Sequence, residues 1–269
     1  MLVNEVNLNV KSVGSGPAIL ALHGFSGSMS TWSEFVKEAQ KEYTIITVDL
    51  LGHGGSDAPN DPKRYGVKCS IADLAAVLDK SDVSRACWLG YSMGGRIALG
   101  AAALMPDKCG CLVLEGASPG ITGPKQRAER KRSDEALARL IMKKGVEVFS
   151  KYWEQQPIFA SQKLLPREVQ EQIRSQRLSN NPTGLANTLR AASSGVQPPF
   201  HKSLPEIRIP VLCVAGEYDY KFTTIAKEMC SKLPNGHISI IPHVGHAPHI
   251  EQPQEFNSVV LGFIRQSSW

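Results

Sequence analysis

A serine nucleophile is predicted at Ser92, in the stretch GYSMG (90–94), which has the form G-x-S-x-G. The stretch follows a short apolar run and precedes a helix-like one, which is the strand-turn-helix context of a nucleophile elbow. Glycines relieve crowding in so tight a turn. The turn would lift the hydroxyl to the carboxyl edge of a sheet, where open α/β sheets bind ligands.

A base and an acid that could activate this serine follow it in the chain. A serine hydroxyl needs a base near neutral pH, and His246 is the best candidate because it follows Gly245 just after the last predicted strand. Asp219 lies after the preceding strand, between serine and histidine in chain order, as an acid of this kind of triad does. It would hold the imidazole tautomer. Glu115, at the end of an earlier strand, is the alternative acid.

Three histidines in this last loop also allow a metal site to be considered. His243, His246 and His249 are spaced by three residues in PHVGHAPH. Two prolines and a glycine make a helix with three ligands on one face a poor interpretation of this segment. We therefore expect no metal, and because no phosphate-binding loop or flavin motif is present, we expect no cofactor.

Two further turns follow strand-like runs. In HGFSG (23–27), the backbone N–H of Phe25, together with that of Met93 just after the nucleophile, could form an oxyanion hole. His23 is interpreted as a structural histidine that braces this loop, with a second base as the alternative. His53, in DLLGHGGSD (49–57), is also interpreted as structural.

The elements that would position these turns alternate between strand and helix. Short apolar runs such as PAILALHG (17–24) and CGCLVLEGA (109–117) alternate with helical patterns, one of which has Ser30 as its expected N-cap. Repeated βα units predict an α/β fold of the α/β-hydrolase type, with a mostly parallel sheet flanked by helices. The pattern changes at 119–205, which reads as several helices. We predict a core of residues 1–118 and 206–269 and a helical cap of residues 119–205.

Composition narrows the classes of partner. Residues 121–205 contain fifteen Lys and Arg against seven Asp and Glu, a net charge of +8, and the rest of the chain carries −3. Such a field favours a small anionic substrate. The sequence has no basic run interleaved with aromatic residues, so we do not expect it to bind nucleic acid. No apolar stretch is long enough to span a membrane. The opening MLVNEVNLNV alternates like a strand rather than a signal peptide.

The remaining composition favours an intracellular enzyme. The six cysteines show no metal-site spacing and are expected to be free thiols in a reducing compartment. We expect a cytoplasmic protein, monomeric or a small homo-oligomer.

The motifs together resemble the α/β-hydrolase fold superfamily over essentially the whole chain. HGF, DLLGHGGSD, GYSMGG, GEYD and GHAPHIEQP occur in the order typical of that superfamily. This resemblance implies the fold and the serine, histidine and aspartate triad. It does not specify the reaction, because the fold supports many.

A closer resemblance comes from GYSMGGR, LEGASPGI, RAERKRSD, YWEQQPIFASQ and RLSNN. These stretches are similar to the 2-succinyl-6-hydroxy-2,4-cyclohexadiene-1-carboxylate synthases of menaquinone biosynthesis, often called MenH. The resemblance implies a lyase without cofactor, in which the serine abstracts a ring proton and pyruvate leaves. It also implies five substrate-binding residues, which are Tyr91, Arg96, Arg130, Trp153 and Arg177.

Physical chemistry agrees with the arginines. A substrate with several carboxylates suits permanently charged, planar donors, and Arg provides these better than Lys. The alternatives are an ion pair or a surface position for Arg96 and Arg130, and a place in the cap core for Trp153. The alternative functions are a serine carboxylesterase or carbon–carbon bond hydrolase, and a catalytically silent binding homologue.

Overall fold

The computed structural model of the chain describes residues 1–267 and contains a seven-stranded, mostly parallel sheet. The strands are β1 (Leu2–Val3), β2 (Val6–Asn7), β3 (Val10–Val13), β4 (Ala18–Leu22), β5 (Thr44–Val48), β6 (Ala86–Tyr91), β7 (Cys109–Glu115), β8 (Val211–Gly216) and β9 (Gly236–Ile241). Strands β1 and β2 pair with each other in a separate two-stranded sheet. The other seven strands form the main sheet in the order β3-β5-β4-β6-β7-β8-β9, in which only β3 is antiparallel to its neighbour. The predicted α/β-hydrolase architecture is confirmed.

Helices follow most of the parallel strands. They are α1 (Ser33–Ala39), α2 (Val67–Lys80), α3 (Met93–Leu104), α4 (Pro124–Trp153), α5 (Arg167–Leu178), α6 (Pro182–Ala192), α7 (Tyr220–Cys230), α8 (Pro248–Glu251) and α9 (Pro253–Gln266). Short 3-10 segments lie at Met29–Trp32, Pro62–Tyr65, Pro106–Lys108, Pro157–Leu164 and Leu204–Glu206. Within the described part of the chain, no helix combines the length and apolar character needed to cross a membrane.

Both faces of the sheet are covered, which explains why its central strands β4, β6 and β7 are almost entirely apolar. Leu20 and Leu22 of β4 pack into a cluster with residues of α2, α3 and α7. Ile19 and Ala21 point to the opposite face and pack with α1 and α9. Each large apolar side chain buried in this way contributes roughly 1.5–3 kcal/mol, and this two-sided core fixes the carboxyl edge of the sheet.

The helices α4, α5 and α6 lie between β7 and β8, within residues 119–205, which we call the cap segment. A break at Gly145, with φ 80° and ψ 172°, interrupts α4. Phe149 of α4 and Leu185 of α6 belong to a separate small apolar cluster, and Phe25 of the β4–α1 loop packs against it. The cap segment therefore has its own core and rests on the loop that precedes α1.

The N-terminus of α1 differs from the sequence expectation. Ser30 does not cap this helix, because Met29–Trp32 form a 3-10 turn and Trp32 occupies the N-cap position without a side-chain cap. Met29 N donates a hydrogen bond of 2.6 Å to Asp49 Oδ1. This bond ties the loop to the end of β5 and so fixes where α1 begins.

The N-terminal stretch MLVNEVNLNV, whose alternation suggested a single strand, forms two short strands, β1 and β2. Asn4 and Glu5 have positive φ values of 43° and 67°, so they form a turn between β1 and β2. The chain joins the main sheet only at β3, on its antiparallel edge.

Candidate active site

Ser92 lies in the turn between β6 and α3, with φ 50° and ψ −100°. This conformation is costly for a residue with a side chain, and the surrounding backbone enforces it. Ser92 N donates a 2.8 Å hydrogen bond to Glu115 O. A Cβ on Gly90 would lie 2.4 Å from the carbonyl carbon of Gly94, and a Cβ on Gly94 would lie 2.2 Å from Leu22 O. Close backbone approach therefore requires both glycines and turns Ser92 toward the carboxyl edge of the sheet.

His246 links Ser92 to Asp219. Its Nε2 lies 3.2 Å from Ser92 Oγ, and its Nδ1 lies 2.6 Å from Asp219 Oδ2. His246 and Asp219 are only 3% and 9% exposed, so water is largely excluded from the pair. Asp219 also caps α7, because its Oδ1 accepts a hydrogen bond from Phe222 N. This arrangement can act as nucleophile or base, imidazole and orienting acid.

The other two histidines of this loop have different partners. His249 Nδ1 lies 2.8 Å from Glu115 Oε1, and both side chains are buried. His243 is exposed, and its backbone N donates to Glu217 Oε2. Across residues 1–267, no group of three His, Cys, Asp or Glu side chains is arranged to hold a metal ion. The alternative acid, Glu115, is thus bound to His249 rather than to the candidate base.

Phe25 and Met93, the two predicted oxyanion-hole residues, line the same cavity as Ser92. Met93 is the first residue of α3, so its N–H has no acceptor within the helix. His23 braces the loop before Phe25, because its Nε2 accepts from Leu50 N at 2.9 Å and its Nδ1 lies 2.7 Å from Gly24 O. Both ring nitrogens are therefore used by the backbone, which fits a structural histidine.

His53 packs behind this loop. Its ring lies 5.0 Å from that of His23 and 5.8 Å from that of Phe25, measured between centroids. Complete burial, and the neighbouring ring of His23, lower the pKa of His53 to about 3. The imidazole is therefore neutral in the folded protein.

A cavity of about 1360 Å³ opens over Ser92 between the sheet edge and the cap segment. Its walls include both the triad residues and most of the predicted substrate-binding residues. Among the lining residues are Phe25, Tyr91, Ser92, Met93, Arg96, Arg130, Trp153, Asp219 and His246. Residues far apart in the chain thus meet in one chamber.

Arg96 is a largely buried cation without an acidic partner. Its Nη1 donates to Ala192 O at 2.8 Å and to Gln197 Oε1. Within residues 1–267, no carboxylate lies at salt-bridge distance from it. Burial, together with the positive charge of Arg130, lowers the pKa of Arg96 to about 10, an effect that the carboxylate of Asp134 partly offsets. The group therefore remains charged at neutral pH. An unneutralised guanidinium in a cavity is suited to bind an anion.

Arg130 faces the same chamber from α4. Its Nε donates to Asp134 Oδ2 at 2.7 Å, one helical turn further on. Asp134 is nearly buried, whereas the Arg130 side chain is 42% exposed. The contact fixes the guanidinium through one nitrogen and leaves its two terminal nitrogens for a ligand.

Tyr91 and Arg177 are placed differently from each other. Tyr91 lines the cavity, and burial and the charge of Glu115 raise the pKa of its hydroxyl well above the usual value, an effect that Arg177 partly offsets. Arg177 is not among the residues that line the cavity. Its guanidinium lies 5.0 Å from the ring centroid of Phe159 and donates to Gln162 Oε1. Its guanidinium therefore contacts the wall of the chamber at Phe159.

Trp153 belongs to the cap core and also lines the cavity, the two alternatives that the sequence left open. Its ring stacks on Phe149 and meets Phe25 edge-on, each with a centroid distance of 5.6 Å, so it packs in the cap core. Trp153 also lines the cavity, and its Nε1 is buried with no hydrogen-bond partner among residues 1–267. A donor of this kind is available to a ligand.

Sequence reasoning missed several side chains of the chamber. Gln197, which holds Arg96, lies 101 residues from it in the chain. Asp134 was not linked to Arg130, although a spacing of four residues in a helix could have suggested the pair. Thr188 and Ser193 also line the cavity and gave no local signal.

Comparison with known proteins agrees with this geometry. A family model described as the alpha/beta hydrolase fold matches residues 17–253. A protein of Bacillus subtilis named putative 2-succinyl-6-hydroxy-2,4-cyclohexadiene-1-carboxylate synthase is 41% identical over 247 residues, which cover 92% of this chain and 90% of that protein. A synthase of the same name from Escherichia fergusonii is 37% identical, covering 88% and 89%. The structure of MenH from S. aureus superposes with a TM-score of 0.91 at 36% identity, covering 96% of this chain and 98% of that one.

Proposed function

The chain belongs to the alpha/beta hydrolase fold family and, within it, to the 2-succinyl-6-hydroxy-2,4-cyclohexadiene-1-carboxylate synthases, and we propose that its triad eliminates pyruvate from the 5-enolpyruvyl precursor of that compound. It is a carbon–oxygen lyase of menaquinone biosynthesis. The observation that supports this reaction best is Arg96, a largely buried cation with only neutral partners, in the chamber that holds Ser92. A hydrolase for neutral esters would have no use for such a charge.

The triad supplies the base. His246 takes the proton of Ser92 Oγ, and Asp219 stabilises the imidazolium that forms. The serine oxygen then removes the acidic ring proton of the substrate. The electron pair forms a new ring double bond, and the bond between the ring carbon and the enolpyruvyl oxygen breaks. The group that leaves is the enolate of pyruvate; it takes up one proton to give pyruvate, and the proton held by the His246 imidazolium balances this uptake. No bond forms between serine and substrate.

Substrate orientation comes from the cations of the chamber. Arg96 and Arg130 bind carboxylates of the substrate, and a bound anion restores a counter-charge to Arg96. Trp153 offers its buried Nε1, and Tyr91 packs beside His246, with ring centroids 5.3 Å apart. The N–H groups of Phe25 and Met93 stabilise negative charge that develops on the substrate. Fixing the ring proton near Ser92 Oγ is the principal contribution of these contacts.

Arg177 does not contact the substrate directly in this scheme. It lies against Phe159 and donates to Gln162, so it fixes the wall of the chamber in the conformation described. Its charge near Tyr91 adds to the positive field that attracts a polycarboxylate. The proposal includes a small anionic substrate, a cytoplasmic location, and a monomer or small homo-oligomer.

The test is product analysis with the purified protein and the enolpyruvyl-succinyl substrate. Pyruvate measured with lactate dehydrogenase should appear one-to-one with the cyclohexadiene product, and dialysis against a strong chelator should leave the rate unchanged. No pyruvate from this substrate, together with rapid hydrolysis of carboxylic esters, would instead assign the triad to an esterase. Loss of activity on chelation that one divalent ion restores would contradict the cofactor-free scheme.

A further inference from the structure

Two buried hydroxyls of the cap segment line the cavity without a partner. Thr188 Oγ1 and Ser193 Oγ make no hydrogen bond to any group of residues 1–267, and each residue is only 4% exposed. Thr188 lies in α6, Ser193 is the residue that follows this helix, and both line the chamber. Buried polar groups in proteins are almost always paired, so these two hydroxyls point to a ligand that completes them.

The end of α6 is also where Arg96 is held. Arg96 Nη1 donates to the carbonyl oxygen of Ala192, the residue before Ser193. The same nitrogen donates to the side-chain oxygen of Gln197, four residues further on. Within residues 1–267, the side-chain hydrogen bonds of Arg96 use only Nη1, so Nε and Nη2 keep three N–H donors for a ligand.

The turn formed by residues 193–197 is clamped onto α4. Arg127 donates through Nη1 to Gln197 O at 2.7 Å and through Nη2 to Val196 O at 3.0 Å. Gly195 packs so closely on α4 that an added Cβ would lie 2.9 Å from Arg127 O and 3.1 Å from Arg130 Cβ. One turn therefore sets the distance between the two arginines of the chamber.

The neutral amide at position 197 has a chemical consequence. A carboxylate at this place would also hold Arg96, but it would neutralise the guanidinium and compete with a bound anion. Gln197 orients the same nitrogen and leaves the positive charge available. Its own Nε2 is buried without a partner among the described residues.

From these contacts we propose that the turn 193–197 completes the carboxylate site of Arg96. Ser193 Oγ–H donates a hydrogen bond to the carboxylate that Arg96 binds, and Gln197 is a positioning residue that holds the guanidinium without neutralising it. This assignment rests on the proposed function for the identity of the carboxylate. It makes Ser193 a specificity determinant for anionic substrates.

The test compares two buried serines without hydrogen-bond partners, one that lines the chamber and one that does not. Ser193→Ala removes the hydroxyl that lines the chamber, whereas Ser150→Ala removes a buried, unpartnered hydroxyl in α4 that is not among the lining residues. Because a hydrogen bond to a charged group is worth about 1.5–3 kcal/mol, Ser193→Ala should raise KM by about tenfold or more. The value of kcat should change less, and Ser150→Ala should leave KM unchanged.

Gln197→Glu is the matched test of the positioning role. The side chain keeps its shape, but its charge should weaken substrate binding by more than tenfold. The free energy of unfolding of the same variant in urea should not fall, because the new carboxylate can pair with the Arg96 guanidinium. Weaker substrate binding together with a loss of stability would show a structural role and overturn the positioning assignment.

Direct binding of succinate separates this inference from the reaction. Calorimetric titration of succinate should show weaker binding to Ser193→Ala than to wild type or Ser150→Ala. If the wild type released no pyruvate but this difference held, the reaction would be wrong and the anion site would stand. If Ser193→Ala matched Ser150→Ala both in KM, where turnover is measurable, and in succinate binding, the anion-site inference would be overturned.

Discussion

Glu115 Oε1 lies 2.8 Å from His249 Nδ1, so the second carboxylate at the sheet edge is paired with a histidine other than the one that contacts Ser92. The Tyr91 ring lies beside both imidazoles, 4.7 Å from His249 and 5.3 Å from His246 between centroids. Two histidine–carboxylate pairs therefore stand next to each other, and only the pair with Asp219 reaches the serine.

Replacing each acid should produce different losses. Asp219→Asn should lower kcat by about 10³–10⁴-fold, because the amide favours the wrong imidazole tautomer. Glu115→Gln should reduce stability instead, since breaking a buried pair costs about 3–5 kcal/mol. Steady-state kinetics and denaturant unfolding of both variants check this. A folded, inactive Glu115→Gln beside a near-wild-type Asp219→Asn would reverse the two roles.

Ser92 variants should separate chemistry from strain. Ser92→Ala should lose several orders of magnitude in turnover, as triad removals do. Ser92→Gly should be equally inactive yet more stable than Ser92→Ala, by about 1 kcal/mol, because glycine accepts the positive φ of this turn at little cost. Turnover and urea unfolding of the two variants test this. More than about a tenth of the wild-type rate in Ser92→Ala would remove Ser92 from the chemistry.

His53 should make stability depend on pH. Its folded pKa of about 3 lies below the unfolded value of 6.5, so the folded state binds fewer protons. This contribution is complete above pH 6.5 and is lost as the pH falls toward 3. The unfolding free energy of the wild type should therefore fall by about 1.4 kcal/mol per pH unit more steeply than that of His53→Gln in this range.

The control is a variant of an exposed histidine, His243→Gln, whose side chain is 73% exposed. The slope of His53→Gln should be shallower than that of this control. Parallel slopes for wild type and His53→Gln between pH 6 and pH 4 would show that His53 is charged when folded.

Gly195→Ala should disturb the turn that joins the two arginines. The added methyl would meet backbone atoms of Arg127 and Lys131 at 2.9 Å, and overpacking of this kind costs about 1–3 kcal/mol. KM should rise as well, because the turn moves away from α4. Gly262→Ala in α9 has open space around it and should gain about 0.5–1 kcal/mol, so a gain of stability at both positions would contradict the packing described.

The catalytic centre was largely predictable from the sequence, because each candidate residue lies in the turn or loop that follows a strand. Ser92, Asp219 and His246 converge since the carboxyl ends of β6, β8 and β9 lie at one edge of the sheet. Their roles remain predictions until variants are measured. The local pattern failed at Ser30, where a tertiary bond from Met29 to Asp49 decides the start of α1.

The cap segment was less predictable. Its helices were expected from composition, but no sequence spacing places Gln197 against Arg96 or Arg177 over Phe159. Such contacts depend on how α4, α5 and α6 pack against one another, and helical periodicity says only which face is apolar. The break at Gly145 inside α4 was not predicted, because no proline flanks this residue in the sequence.

The central claim is that Arg96 holds a substrate carboxylate while the triad removes the ring proton, and one variant tests it on two substrates. Arg96→Ala should lower kcat/KM for the enolpyruvyl-succinyl substrate by roughly the 2–5 kcal/mol that truncating one partner of a buried charge pair costs. Arg96→Lys should recover only part of this loss, because the planar fork is missing. Any hydrolysis of neutral p-nitrophenyl acetate that the wild type shows should continue near the same rate in Arg96→Ala. Equal losses on the anionic and the neutral substrate would show that Arg96 is structural and would contradict the proposed mechanism.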